Sequence, residues 1–128
     1  MKDLVLIDSS AWVEVVRSGG NPGMVARVEG LISSGLAAMT EPVWMELYQG
    51  IRIKREEARL EITRSLCVWL EFDAACWQQA AKTARACLRS GVNVPFGDVL
   101  VDACARRHGV ELLEKDRHFQ MIAGVLGK

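Results

Sequence analysis

The chain has few of the residues that staple or bridge small proteins: two histidines and four cysteines in 128 residues. The cysteines, Cys67, Cys76, Cys87 and Cys104, lie 9, 11 and 17 residues apart, with no C-x-x-C pair. A zinc site or disulfide framework prefers tighter spacing or a secreted context, so these thiols are expected to be small buried hydrophobes in a reducing compartment. Long apolar runs are also missing. The start, MKDLVLID, has four consecutive apolar residues before an acid. That is too short for a signal peptide or a membrane span, and it leads us to expect a cytoplasmic protein with no membrane contact. Charge of one sign is absent too, because sixteen basic residues balance sixteen acidic ones. Without a global positive field, any nucleic-acid contact must rely on a local basic rim. There is no internal repeat, low-complexity tract or linker.

What is present is an ordinary globular composition, half hydrophobic and one quarter charged. It fits a single domain over residues 1–128, large enough to bury about two-thirds of its unfolded surface. Leu4–Ile7 reads as a buried strand, Leu36–Met39 as a second, Val68–Phe72 as a third and Glu111–Glu114 as a fourth. Between them lie helical patterns over Ala11–Arg17, Pro22–Ser34, Pro42–Ile51, Lys54–Leu66, Ala74–Ser90 and Asp98 to Gly109, with a last one over Arg117–Gly124. The fourth of these is expected to present Ala58, Ile62 and Leu66 on one apolar face. The fifth is expected to bury a stripe through Trp77, Ala80, Ala84 and Cys87 or Leu88. Strands alternating with helices imply an α/β fold, a parallel sheet with helices on both faces, whose ligand site lies beyond the carboxyl ends of the strands.

That edge is where the acids gather. Asp8 ends the first strand, Glu46 lies about one turn into the helix after the second, Asp98 opens a helix, and Asp116 follows the fourth strand. Four converging carboxylates repel one another unless protons or a cation compensate. An oxygen-only set suits Mg²⁺ or Mn²⁺ rather than zinc.

The stretches LVLIDSSAWVE, EPVWMEL and VPFGDVLVDACARRHGVELLEKDRHF, taken in order, resemble the PIN domain, and within it the VapC ribonuclease toxins. The likeness spans almost the whole chain. It implies an α/β/α sandwich and Mg²⁺- or Mn²⁺-dependent endonucleolytic cleavage of RNA by metal-activated water, with no protein nucleophile. It also implies restraint by a small cognate antitoxin and a homodimeric state. By the same resemblance Asp8, Glu46, Asp98 and Asp116 bind the metal, and Ser10 supports them. Where the family often has Thr or Ser two residues before the last acid, this chain has Glu114, so Glu114 and Asp116 both remain candidates. Asp102, one turn after Asp98, is expected to support the site without touching the ion.

Other residues have weaker assignments. Arg17, Arg89, Arg106, Lys115 and Arg117 are candidates for holding RNA phosphates, although each alone reads as a solvated charge. Trp44, Tyr48 and Ile51 form a second apolar face on their helix, which suggests a partner surface as readily as burial. The four tryptophans are expected mainly in the core. His108 and His118 read as surface or structural residues, with His118 also a candidate general base. Three other functions compete: an RNA-processing nuclease outside a toxin–antitoxin pair, a Mg²⁺-dependent phosphotransfer domain, and a non-catalytic scaffold. The phosphotransfer reading is weakened because an acid expected two residues after the first is Ser10.

Overall fold

The structure is a computed structural model and describes residues 3–127. Its elements follow the order β1 Val5–Ile7, α1 Ser9–Val16, α2 Pro22–Ser33, β2 Ala37–Met39, α3 Glu41–Gln49 and α4 Lys54–Ser65. After these come β3 Val68–Trp69, α5 Ala74–Arg89, α6 Phe96–His108, β4 Glu111–Leu113 and α7 His118–Leu126.

The four strands form one sheet in the order β3-β2-β1-β4, and every pair is parallel. Val5 is in register with Ala37 on one side and with Glu111 on the other. Flanked by the seven helices of the described residues, the sheet has a dry centre in which Leu6, Ile7, Ala37, Ala38 and Met39 are fully buried. Runs of apolar residues without alternation are what a strand covered on both faces requires. The chain order moves outward from β1 through β2 to β3, then returns to the opposite flank of β1 as β4. This reversal opens a crevice beyond the carboxyl end of β1.

Local chemistry sets the element ends. Asp8 caps α1 by accepting the Ser10 N–H at 3.0 Å, and Asp73 caps α5 by accepting the Cys76 N–H at 3.0 Å. Strand β3 is shorter than expected. Beyond Leu70, the Phe72 N–H turns away to the Glu41 carboxylate at 2.8 Å, which ends the pairing with β2. Helix α6 starts two residues early, at Phe96 after Pro95, so Asp98 lies within its first turn and is not its cap.

Two expected helix faces are corrected. α4 buries no residue, and Ile62 and Leu66 are exposed. Polar and stacking contacts hold it instead: Tyr48 donates to Glu57 at 2.9 Å, and the Arg64 guanidinium lies 4.5 Å and 4.4 Å from the rings of Trp44 and Trp69. On α5 the buried stripe runs through Cys76, Ala80, Thr83 and Cys87, one residue before the expected Trp77 at its start. These are small side chains that let α5 lie close against α6. Trp77 is 58% exposed and packs edge-on to Phe72. Of the four tryptophans only Trp12 is fully in the core.

Candidate metal centre

Four segments deliver acids to the crevice. Asp8 follows β1 directly, and its N–H donates to the Leu113 carbonyl at 2.9 Å, which ties the end of β1 to the end of β4. Asp8 is 1% exposed. Its Oδ2 accepts from the Ser10 N–H, whereas Oδ1 is buried with no hydrogen-bond partner among the described residues. Burial raises its carboxyl above the ordinary range against hydrogen bonds from Ser10 and Ser9, and Asp116 adds to the rise.

Glu46 reaches in from the middle of α3. Its Oε1 accepts from the Ser9 hydroxyl at 2.8 Å, and Oε2 faces Gly97, where a Cβ would lie at only 2.6 Å. Burial raises Glu46 as well, with the Ser9 bond opposing and the charges of Asp8 and Asp116 reinforcing the rise.

Asp98, in the first turn of α6, is pushed up to about 6, first by burial and then by the charges of Asp116 and Asp8. Asp116 goes the other way. Burial acts to raise it, but hydrogen bonds from the His118 backbone and ring, together with the charge of His118, hold its carboxyl below the ordinary range. Two neighbouring carboxylates have thus been pushed apart, and Asp98 is the one that keeps its proton longer.

His118 completes the cluster. Its Nδ1 lies 2.8 Å from Asp98 Oδ2 and 2.7 Å from Asp116 Oδ1, and its backbone N–H donates to Asp116 at 2.9 Å. Asp98, Asp116 and His118 offer ligand atoms within 4.8 Å of one another. Of the readings open for His118 (surface, structural or general base), its contacts with two acids set aside only the first. His118 enters the site because it opens α7, which starts right beside Asp116.

Glu114 and Asp116 have distinct places. β4 ends at Leu113, so the strand alternation that would put both on one side does not extend to them. Glu114 Oε1 accepts the Asp116 N–H at 2.9 Å, bracing the loop, whereas Asp116 faces the other acids. The Ser10 hydroxyl accepts the Lys115 N–H at 2.9 Å and joins the start of α1 to the same loop. Asp102 is 5% exposed and accepts from Arg106 Nε at 2.6 Å.

The basic candidates divide. Arg17 and Lys115 converge on the buried Glu14, at 3.2 Å and 3.8 Å. Glu14 also accepts the Asn21 N–H at 2.8 Å; led by that bond, its surroundings hold its carboxyl below the ordinary range. Arg117 is exposed at the start of α7 and Arg89 at the end of α5. Arg106 stands eight residues from Asp98 on α6, about 12 Å along the axis, and pairs with Asp102. Trp44 is half-buried against Trp69 and Arg64, so its face of α3 is largely covered by the chain itself, while Tyr48 is 45% exposed.

Sequence reasoning missed the contacts of Ser9, Gly97 and Glu14, and offered His118 a site role only as a candidate general base. DRHF held the one usable signal, a histidine two residues after an acid.

The donor set fits a hard divalent cation. Asp98, Asp116 and His118 bring ligand atoms together, and Asp8, with one oxygen buried and unsatisfied, and Glu46 lie close enough for the acids' charges to raise one another, a repulsion that a cation would relieve. The PIN domain family model matches residues 5–125, and the chain belongs to that family. Within it the chain falls with the VapC-type ribonucleases. It is 36% identical to Ribonuclease VapC11 of Mycobacterium tuberculosis over 126 residues, covering 95% of this chain and 93% of the relative. In fold it is similar to the DNA-bound VapBC of Salmonella typhimurium, with a TM-score of 0.78, 15% identity and coverage of 93% and 91% of the two chains. FitAcB of Neisseria gonorrhoeae gives a TM-score of 0.76 at 19% identity, covering 94% of each chain. No helix among the described residues is long and apolar enough to cross a membrane.

Proposed function

We propose that the chain is the toxin of a toxin–antitoxin pair, a cytoplasmic endoribonuclease that holds Mg²⁺ or Mn²⁺ with Asp8, Glu46, Asp98 and Asp116. The observation that carries this reading is the buried, unpartnered Oδ1 of Asp8 among carboxylates raised by burial and by one another. When bound, the cation supplies the Lewis acid that activates water and offsets the charge of the phosphoryl transition state.

The chain's own residues do the positioning. Ser9 fixes one oxygen of Glu46 and leaves the other turned to the first turn of α6. Ser10 and Glu114 hold the loop that carries Asp116. His118 gives Asp98 and Asp116 a shared hydrogen-bonding group, so that two adjacent acids can sit close before a cation arrives. Arg17, Lys115 and Arg117 form the local basic rim that a chain of zero net charge needs to hold RNA phosphates, and Arg89 extends it.

The named relative is a ribonuclease, and the solved neighbours include VapBC and FitAB complexes, which supports an antitoxin as partner. The exposed apolar residues Val13, Val16, Met45 and Tyr48 offer a surface for it or for a second copy in a homodimer. Purified protein should cleave RNA with Mn²⁺ or Mg²⁺ and stop in excess chelator. Cleavage that continues unchanged in chelator would sink the metal mechanism. Light scattering and an antitoxin pull-down on Met45→Ala/Tyr48→Ala test the surface, and unchanged mass with unchanged capture would remove it.

A further inference from the structure

A second group of metal-binding side chains lies outside the acidic centre, between α5 and α6. Cys76 Sγ, Cys104 Sγ and one ring nitrogen of His108 fall within 4.8 Å of one another. We propose that Cys76, Cys104 and His108 form a zinc site that clasps α5 to α6, with water in the fourth position.

The placement follows from the two helices. Cys104 and His108 stand four residues apart on α6 and so share a face. Cys76 belongs to the buried stripe of α5, in the first turn after the Asp73 cap. Zinc bond lengths of about 2.3 Å to sulfur and 2.0 Å to nitrogen, set tetrahedrally, put ligand atoms roughly 3.5–3.8 Å apart. The cluster reaches that spacing by closing up by about 1.3 Å at most. Cys76 and Cys104 are both fully buried, while His108 is partly exposed and gives an ion a way in.

The Glu71 carbonyl marks the spot from the other side. It lies 2.9 Å from His108 Nε2 and 3.8 Å from Cys76 Sγ, accepting the hydrogens that the ring and the thiol carry without an ion. Loading replaces the thiol hydrogens with metal: each thiol gives its proton to solvent, the ring keeps its single hydrogen on the nitrogen that does not bind, and Zn²⁺ takes both thiolates and the neutral imidazole. Two thiolates and one Zn²⁺ sum to zero charge, so no net charge is buried. Asp73 adds a nearby carboxylate that feels His108 and pairs with Arg107 at 3.2 Å. The spacing argument from sequence did not apply, because the ligands come from helices 28 residues apart at Cys76 and Cys104.

Co²⁺ is the probe of choice, used on the full chain carrying Asp8→Asn and Asp98→Asn so that the acidic centre is silent. Bound cobalt should show a thiolate-to-cobalt charge-transfer band and tetrahedral visible absorption. The band should vanish in Cys76→Ser and fall at least tenfold in apparent affinity in His108→Gln. Zn²⁺ should displace the cobalt and raise the midpoint of thermal unfolding. Cobalt bound without the thiolate band, or a folded protein that binds none, overturns the proposal. If Cys76→Ser does not fold, His108→Gln decides: a band of unchanged affinity there also overturns it. None of these outcomes depends on RNA cleavage.

Discussion

Gly97 stands so close to Glu46 that a Cβ built on it would lie 2.6 Å from Oε2 and 3.5 Å from the carboxylate carbon. The obstacle is the far end of a flexible side chain, so Gly97→Ala moves Glu46 and leaves the backbone in place. Alanine also suits a helix better than glycine, by up to about 1 kcal/mol. The variant should therefore unfold at the same temperature or higher, yet lose about tenfold or more in Mn²⁺ affinity. Calorimetric titration beside a thermal melt checks this. Unchanged affinity would place Glu46 outside the metal's reach.

Asp8→Asn separates stability from function in the same way. Asn keeps the shape and the oxygen that accepts from Ser10 N–H, and it removes a buried charge that has no partner on Oδ1. The metal-free variant should be more stable than the parent by roughly 1 kcal/mol, a shift of a few degrees. It should also be inactive. A melt showing strong destabilisation would mean that Oδ1 has a favourable partner in the metal-free fold.

The raised acids fix the sign of the pH dependence. Asp98 titrates at about 6 in the folded chain, against an ordinary value of 3.8. Between those values the folded state binds more protons than the unfolded one, so metal-free stability falls as pH rises from about 4 to about 6. Asp8 and Glu46, also raised, act in the same sense. Asp116 is lowered and acts oppositely, its contribution being lost only as pH falls below about 4. Metal affinity should run the other way and rise through the same window, because the acids must ionise to coordinate. Melts with and without Mn²⁺ across about pH 4.5 to 7.5 should cross over. Parallel curves would separate the acids from the metal.

The parallel sheet and the gathering of acids beyond its carboxyl edge were legible because each rests on a local signal, whereas the metal role of the four acids rests on the family resemblance. Asp8 ends an apolar run, and the alternation of strands and helices is coarse enough to survive errors of two residues at Phe96 and three at Trp69. Contacts between distant segments were not legible. His118 joins Asp98 only because α7 opens beside the last acid. The exposure of Trp77 reflects how tightly α5 packs on α6 through Cys76, Ala80 and Thr83, a packing choice that periodicity alone misses by one residue. Trp44 shows the same limit: its cover comes from Arg64 on a helix that buries nothing.

Asp98 and Asp102 lie one turn apart on α6, and their surroundings assign them different work. Asp98 faces Asp116, Asp8 and His118, and burial with those charges keeps its carboxyl raised. Asp102 accepts from Arg106 Nε at 2.6 Å, with side chains 8% and 19% exposed. Asp98→Ala removes a charge that the metal-free fold tolerates poorly, so it should cost little stability while abolishing metal binding and cleavage. Asp102→Ala strips a partner from a largely buried guanidinium. Breaking such a pair costs about 3–5 kcal/mol when the survivor is trapped, and less where a long side chain can reach water. A loss of roughly 1–3 kcal/mol is expected for Asp102→Ala, with Mn²⁺ affinity within about threefold of the parent once the protein is folded. Melts and Mn²⁺ titrations on both variants give four readings, and the expected pattern is a crossed one. Equal loss of Mn²⁺ affinity in the two would bring Asp102 into contact with the ion and enlarge the acid set to five.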